Sequence, residues 1–266
     1  MKNTPPEPGT IIREWRKKRR MSQLDLALEA EISQRHLSFL ESGRSRPSRN
    51  MALVISERLD MPLRQRNRLL TAAGFAPHFA EQPIDSEPMK PALDAVQLVL
   101  SAHLPSPAIA VDRHWNLVLG NDAIMPFLDL VADKSLLDEP MNVLRISLHP
   151  GGLAPLIANL DEWRAHLLDR LARLNDQYAD ATLRDLEDEL RNYPGRSTKP
   201  LQRHGAHDIA VPLKLSLGGL SLSFISTITV FGTPLDVTLS ELAIETFFPA
   251  DDTTRAFLAG SATAAA

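Results

Sequence analysis

The sequence predicts a multidomain protein, with an all-α domain of five short helices over residues 1–76, a linker over 77–91 and an α+β domain with an antiparallel sheet over 92–258. Three features carry that reading. Apolar residues in the first part recur at spacings of three and four, as one face of a helix requires. Pro77, Pro83, Pro88 and Pro91 then interrupt the chain, and no helix continues through such a stretch. Towards the end, runs rich in β-branched residues and broken by Gly218-Gly219 read as strands joined by tight turns.

Within the first 76 residues, Ile11, Ile12 and Trp15, then Leu24 and Ala27, Leu37 and Leu40, and Met51 and Val54 mark successive helical faces. Ser22, Ser33 and Ser48 precede these faces as N-caps, and Gly43 and Gly74 stand where a helix end takes a left-handed residue. After the linker, a helix is expected over Ala92–His103, two short strands over Ala108–Val111 and Asn116–Leu119, and a helix near Asp122–Val131. Trp163, Leu167, Leu171, Leu174 and Tyr178 form one amphipathic stripe and Leu183, Leu186 and Leu190 another. Strands are expected over Ile209–Leu217, Leu220–Phe231 and Asp236–Phe247, followed by a disordered tail over 259–266.

The charge is divided unequally. Residues 1–76 hold 15 Lys and Arg against 8 Asp and Glu, a surplus of +7, while the remainder holds 14 against 25, or -11. A basic head suits a polyanion, because each neutralised phosphate releases counterions. With no cysteine, disulfides, thiolate metal sites and a cysteine nucleophile are excluded. The histidines form no His-x-x-x-His pattern, and His204 with His207 lacks a third ligand in register, so no metal is expected. The chain starts polar and has no run of about 18 apolar residues, from which a cytoplasmic protein without membrane contact is expected. Gly-x-Ser-x-Gly, Gly-x-Gly-x-x-Gly and Walker patterns are absent, and the expectation is that the protein is not an enzyme.

The most specific stretch runs Ser22-Gln23-Leu24-Asp25-Leu26-Ala27, then Ser33-Gln34-Arg35-His36-Leu37-Ser38-Phe39-Leu40-Glu41-Ser42-Gly43. Ala27 is small where two helices cross, Ile32 plugs the turn, and Leu37 and Leu40 anchor the second helix. Its other face presents Gln34, Arg35 and Ser38, with Ser33 at its start, where a helix entering the major groove meets base edges. Gln pairs bidentately with adenine and Arg with guanine, each good pair discriminating by about 1–3 kcal/mol. Gln23, at the preceding helix start, is placed for a phosphate, and Arg44, Arg46 and Asn50 for flanking phosphates.

On these residues, positions 10–75 resemble the xenobiotic-response-element (Cro/lambda-repressor) class of helix-turn-helix regulators. That likeness implies a salt bridge between Arg16 and Glu41. It also marks Glu31 as a departure, since the class usually has glycine there with positive φ, and a side chain costs roughly 1 kcal/mol. Val111-Asp112-Arg113-His114-Trp115-Asn116, Ser147-Leu148-His149-Pro150, Phe231-Gly232-Thr233-Pro234-Leu235-Asp236-Val237 and Phe247-Phe248-Pro249-Ala250-Asp251 are similar to MmyB-like regulators. This resemblance implies a PAS-like ligand-binding domain, a fatty-acyl class of ligand, and a homodimer on double-stranded DNA carrying an inverted repeat.

For the ligand, Trp115, Phe127, Trp163 and Phe231 are apolar candidates, as are Leu117, Leu144, Leu156 and Leu167. Arg145 is the first choice for a carboxylate, with His149 and Asn159 next. Strand alternation puts Ile225, Thr227, Thr229 and Phe231 on one face, so that Thr227 and Thr229 offer hydroxyls to a pocket wall. The expected function is a sequence-specific regulator of transcription sensing a small apolar ligand, with no other cofactor. The alternatives are a second domain that docks another protein without ligand, and an uncharacterised enzyme domain.

Overall fold

The computed structural model describes residues 6–178, 180–194, 211–232 and 234–264. It divides into two compact units, one of Met1–Pro83 with Thr233–Ser240 and one of Ile84–Gly232 with Glu241–Ala266. His204 and His207, and the start of the strand expected from Ile209, lie outside the described residues.

In the first unit the five expected helices are α1 (Pro8–Lys18), α2 (Gln23–Glu29), α3 (Gln34–Glu41), α4 (Arg49–Arg58) and α5 (Leu63–Ala72). Their ends follow from side-chain chemistry. The hydroxyl oxygens of Ser22, Ser33 and Ser48 accept the N–H of Asp25, His36 and Met51 at 3.1, 3.1 and 3.2 Å, each satisfying an otherwise orphaned donor. Gly43 and Gly74 take positive φ just past helix ends. Ile12, Leu26, Leu37, Leu40, Ile55, Leu59, Leu69 and Leu70 are buried in a common core. Close approach of α1 to the end of α3 depends on Gly9, where a Cβ would stand 2.2 Å from the Leu40 carbonyl oxygen.

An ion pair crosses this core. Arg16 donates from Nε to Glu41 Oε1 at 2.6 Å and from Nη2 to Oε2 at 2.8 Å, as the resemblance implied. Gln23 Nε2 also donates to Glu41 Oε2 at 2.8 Å, and Arg13 donates to the Glu41 carbonyl oxygen at 2.6 Å. The Glu41 side chain is 1% exposed. Burial pushes its carboxyl up, but the hydrogen bonds from Arg16 and Gln23 and the charges of Arg16 and Arg13 more than offset this, holding it below the ordinary value.

Residues 78–82, expected as part of a linker, are bonded into the first unit. Asn67 Oδ1 accepts the N–H groups of His78 and Phe79 at 2.9 and 3.0 Å, while its Nδ2 donates to the Phe79 carbonyl at 2.8 Å. Further on, Val237 N–H donates to the Ala80 carbonyl at 2.8 Å and Gln82 N–H to Asp236 Oδ2 at 3.2 Å. The segment ending at Ser240 thus belongs to the helical unit, although it lies far along the chain from it.

The second unit begins with α6 (Lys90–Ala102), β1 (Ala108–Val111) and β2 (Leu117–Gly120). Next come α7 (Met125–Asp129), α8 (Val143–Leu148), α9 (Leu160–Tyr178) and α10 (Ala181–Asn192). The chain continues with β3 (Leu213–Leu217) and β4 (Leu220–Val230), passes through α11 (Val237–Ser240) of the first unit, and ends with β5 (Ala243–Pro249) and α12 (Asp252–Ala264). The strands form one antiparallel sheet in the order β2-β1-β5-β4-β3. Both leucine stripes face the core, with Trp163, Leu167 and Leu171 on α9 and Leu183, Leu186 and Leu190 on α10 buried. Buried Asn121 ties the end of α6 to the sheet, donating to the carbonyls of Leu100 and Ser106 and accepting the Ala108 N–H.

Two expectations are corrected. The last strand starts at Ala243 and not at Asp236, because Asp236 accepts the N–H groups of Gln82 and Leu239 and the following residues form the single helical turn α11. The tail expected to be disordered from 259 is helical as far as Ala264, since alanine-rich sequence extends α12 readily.

Glu31 has φ +56, so the turn before α3 keeps the left-handed geometry despite its side chain. Glu31→Gly is expected to stabilise the chain by up to about 1 kcal/mol, the strain relieved being partly offset by a more flexible unfolded chain; an unchanged or lower denaturation midpoint contradicts this. Glu41→Ala strands Arg16 and is expected to cost about 3 kcal/mol in urea unfolding. Because the folded carboxyl titrates below its unfolded value of 4.5, its contribution is complete above that value and is lost as pH falls through the lower folded value. Circular dichroism during acid titration checks this, with the difference between wild type and Glu41→Ala expected to shrink below pH 4.5.

Candidate functional site

The helix α3 is held by its inner face and open on the other. Leu37, Leu40 and Glu41 are buried, whereas Ser33, Gln34 and Arg35 are exposed and Ser38 is half-buried. Serine before the first turn gives a sharp start, leaving the first N–H groups and the positive helix end towards solvent beside Gln34 and Arg35. Arg44, Arg46 and Asn50 are also exposed, in and just after the loop that leaves α3. Phe39 organises two of these cations, with the Arg35 and Arg44 guanidinium carbons 5.4 and 5.8 Å from its ring centroid. Such contacts restrain two flexible side chains at little cost in charge. The Gln23 side-chain nitrogen is committed to Glu41, which leaves its backbone N–H and its Oε1 for an outside partner.

In the second unit, the sheet and helices line a half-open cavity of about 130 Å³. Its wall is apolar and drawn from many elements, among them Ile109, Leu117, Phe127, Leu144, Trp163, Leu167, Leu215, Phe224 and Phe247. Phe127 meets Phe224 edge to face, with centroids 5.8 Å apart. Trp163 satisfies its indole N–H on Ser147 Oγ at 3.0 Å, leaving its ring free to pack against the wall.

Of the expected ligand residues, Leu117, Phe127, Leu144, Trp163 and Leu167 line this cavity, and Trp115, Leu156, Phe231, Arg145, His149, Asn159, Thr227 and Thr229 do not. Arg145, His149, Asn159 and Thr227 each have another engagement. Arg145 holds Glu189 through Nε and Nη2 at 2.9 and 2.8 Å. His149 Nδ1 accepts the Gly151 N–H at 3.0 Å, and Asn159 pins β3 by donating to the Pro212 carbonyl and accepting the Lys214 N–H. Thr227 and Thr229 alternate with Phe224 along β4 and therefore lie on the face away from the cavity, where Thr227 Oγ1 is 2.8 Å from Thr246 Oγ1. Trp115 is buried nearby, at a left-handed φ of +66 in the β1–β2 turn.

The sequence reading missed Glu245, a charged side chain on the cavity wall. Its signal was available: in Ala243-Ile244-Glu245-Thr246-Phe247, period-two alternation groups the glutamate with Ala243 and Phe247. Among the described residues no group of three His, Asp or Glu side chains could hold a metal ion, and no helix is long and apolar enough to cross a membrane.

Comparison with known proteins bears on both units. The family model for a helix-turn-helix matches residues 12–65, which contain α2 and α3. No curated protein matches the chain. The family model for the MmyB-like transcription regulator ligand binding domain matches residues 93–260, spanning the sheet and every residue lining the cavity. A DNA-binding helix-turn-helix and a ligand-binding domain are thus joined in one polypeptide, and the chain belongs to the MmyB-like transcription regulators.

Proposed function

We propose that this protein is a cytoplasmic, sequence-specific regulator that reads DNA with α3 and adjusts its binding to a small apolar ligand held in the second unit. The observation carrying the reading is the outward face of α3, where Gln34 and Arg35 are exposed on a helix whose opposite face is locked in the core. Gln34, Arg35 and Ser38 meet base edges, while the Gln23 backbone N–H, Arg44, Arg46 and Asn50 hold phosphates. A homodimer places two such helices about one DNA turn apart on an inverted repeat. The apolar wall supports a guest dominated by hydrocarbon, including the fatty-acyl class that the family likeness implies. The PAS-like reading draws support from a single antiparallel sheet whose strands contribute to the wall of that cavity.

A covalent route connects the two events. The segment ending at Ser240 is part of the helical unit, yet it is bracketed in the chain by β4 and β5, which contribute Phe224, Glu245 and Phe247 to the cavity wall. A guest that shifts these strands pulls on both ends of that segment. Asp236 and Val237 anchor it at Gln82 and Ala80.

Gel shifts with duplexes selected from a random pool test the docking. Arg35→Ala is expected to cost about 1–3 kcal/mol at one base position, and Arg44→Ala to weaken all sequences alike while flattening the salt dependence by about one counterion. Unaltered binding in both variants contradicts the assignment. Denaturing extraction followed by mass spectrometry of the isolated protein is expected to release one reproducible small apolar compound, and a protein that repeatedly yields none argues against a tightly held ligand.

A further inference from the structure

Among the described residues the cavity wall carries one ionisable group, and that group is an acid. Glu245 lies in the middle of β5, paired across the sheet with Ile109 of β1 and Ile228 of β4, and its side chain is 6% exposed. Oε1 accepts from Arg170 Nη1 at 3.2 Å. Arg170 stands behind the wall and not on it, with its guanidinium carbon 5.3 Å from the Trp115 ring centroid and Nη2 3.2 Å from His166 Nε2. Among the described residues nothing donates to Glu245 Oε2. The other oxygen-bearing side chain on the wall, Ser147, already accepts the Trp163 indole N–H.

A carboxylate oxygen beside an apolar space, with no donor to it among the described residues, favours a guest that carries a hydrogen-bond donor, because a guest without one displaces water from it and returns no bond. A second carboxylate has the opposite fate. It would bring a like charge to Glu245 in a poorly hydrated space, and Arg170 is already shared among Glu245, Trp115 and His166. The space of about 130 Å³ accommodates a single ring, since an apolar cavity of about 150 Å³ holds benzene.

We propose that Glu245 is the specificity-determining residue of the cavity and that the ligand is a small apolar molecule bearing a neutral hydroxyl group, such as a phenol, which donates to Glu245. This inference rests on the ligand-sensing reading above and replaces its fatty-acyl member with a hydroxyl compound. The hydrocarbon body packs on Phe127, Trp163, Phe224 and Phe247, and the hydroxyl donates its hydrogen to Oε2.

Calorimetric titration of the full chain at pH 7 with p-cresol, toluene, p-toluate and decanoate tests it. p-Cresol is expected to bind about tenfold or more tightly than toluene, as a hydrogen bond to a charged acceptor allows, and more tightly than either acid. Glu245→Gln should reduce the advantage of p-cresol over toluene. The wild-type ratios decide the matter even if that variant fails to fold. Equal affinity for p-cresol and toluene overturns the proposal and leaves Glu245 a structural partner of Arg170. Tighter binding of p-toluate or decanoate overturns it in favour of an acid that takes Arg170 from Glu245. Binding of none of the four removes the ligand-sensing reading of this cavity as well.

Discussion

A single buried carboxylate organises the DNA-binding unit. Glu41, at the last turn of α3, receives Arg16 of α1 and Gln23 of α2, while Arg13 of α1 reaches its backbone carbonyl. Three helices therefore meet at one side chain. Such a buried pair is a weak source of net stability, because desolvating both charges consumes much of what their attraction returns. Its effect here is geometric: bidentate bonds tolerate little rotation, so the orientation of α3 relative to α1 and α2 is fixed, and with it the direction in which Gln34 and Arg35 project.

Backbone chemistry supports that arrangement from outside the core. Ser22 and Ser33 start α2 and α3 with side-chain bonds, and Glu31 turns the chain between them at a φ that glycine adopts more easily. The exposed face thus consists of flexible side chains on a constrained helix. Phe39 then restrains two of the cations by stacking. Preorganisation of this kind lowers the entropy lost on docking.

Much of the first unit was legible in the sequence because its determinants are local. Serine caps, glycine at helix ends and spacings of three and four each act within a few residues, and the structure contains five helices where these signals place them. The second unit was read less completely. The stripes on α9 and α10 stood out, but residues 236–240 looked like the start of a strand because Val237 and Leu239 alternate with polar neighbours. What overrides that pattern is pairing with Ala80 and Gln82, some 150 residues earlier, which no local signal reveals. The functional groups of Arg145, His149 and Asn159 suit a polar ligand, but the structure gives each of them partners among neighbouring protein groups.

Contact between the outward face of α3 and DNA bases is tested most directly by placing a photo-reactive side chain at Ser38 and irradiating the full chain with duplexes enriched from a random pool. Cross-links to bases at one defined position in each half-site are expected. Cross-links confined to other surfaces of the protein, with Ser38 silent on DNA that the chain demonstrably binds, would contradict it.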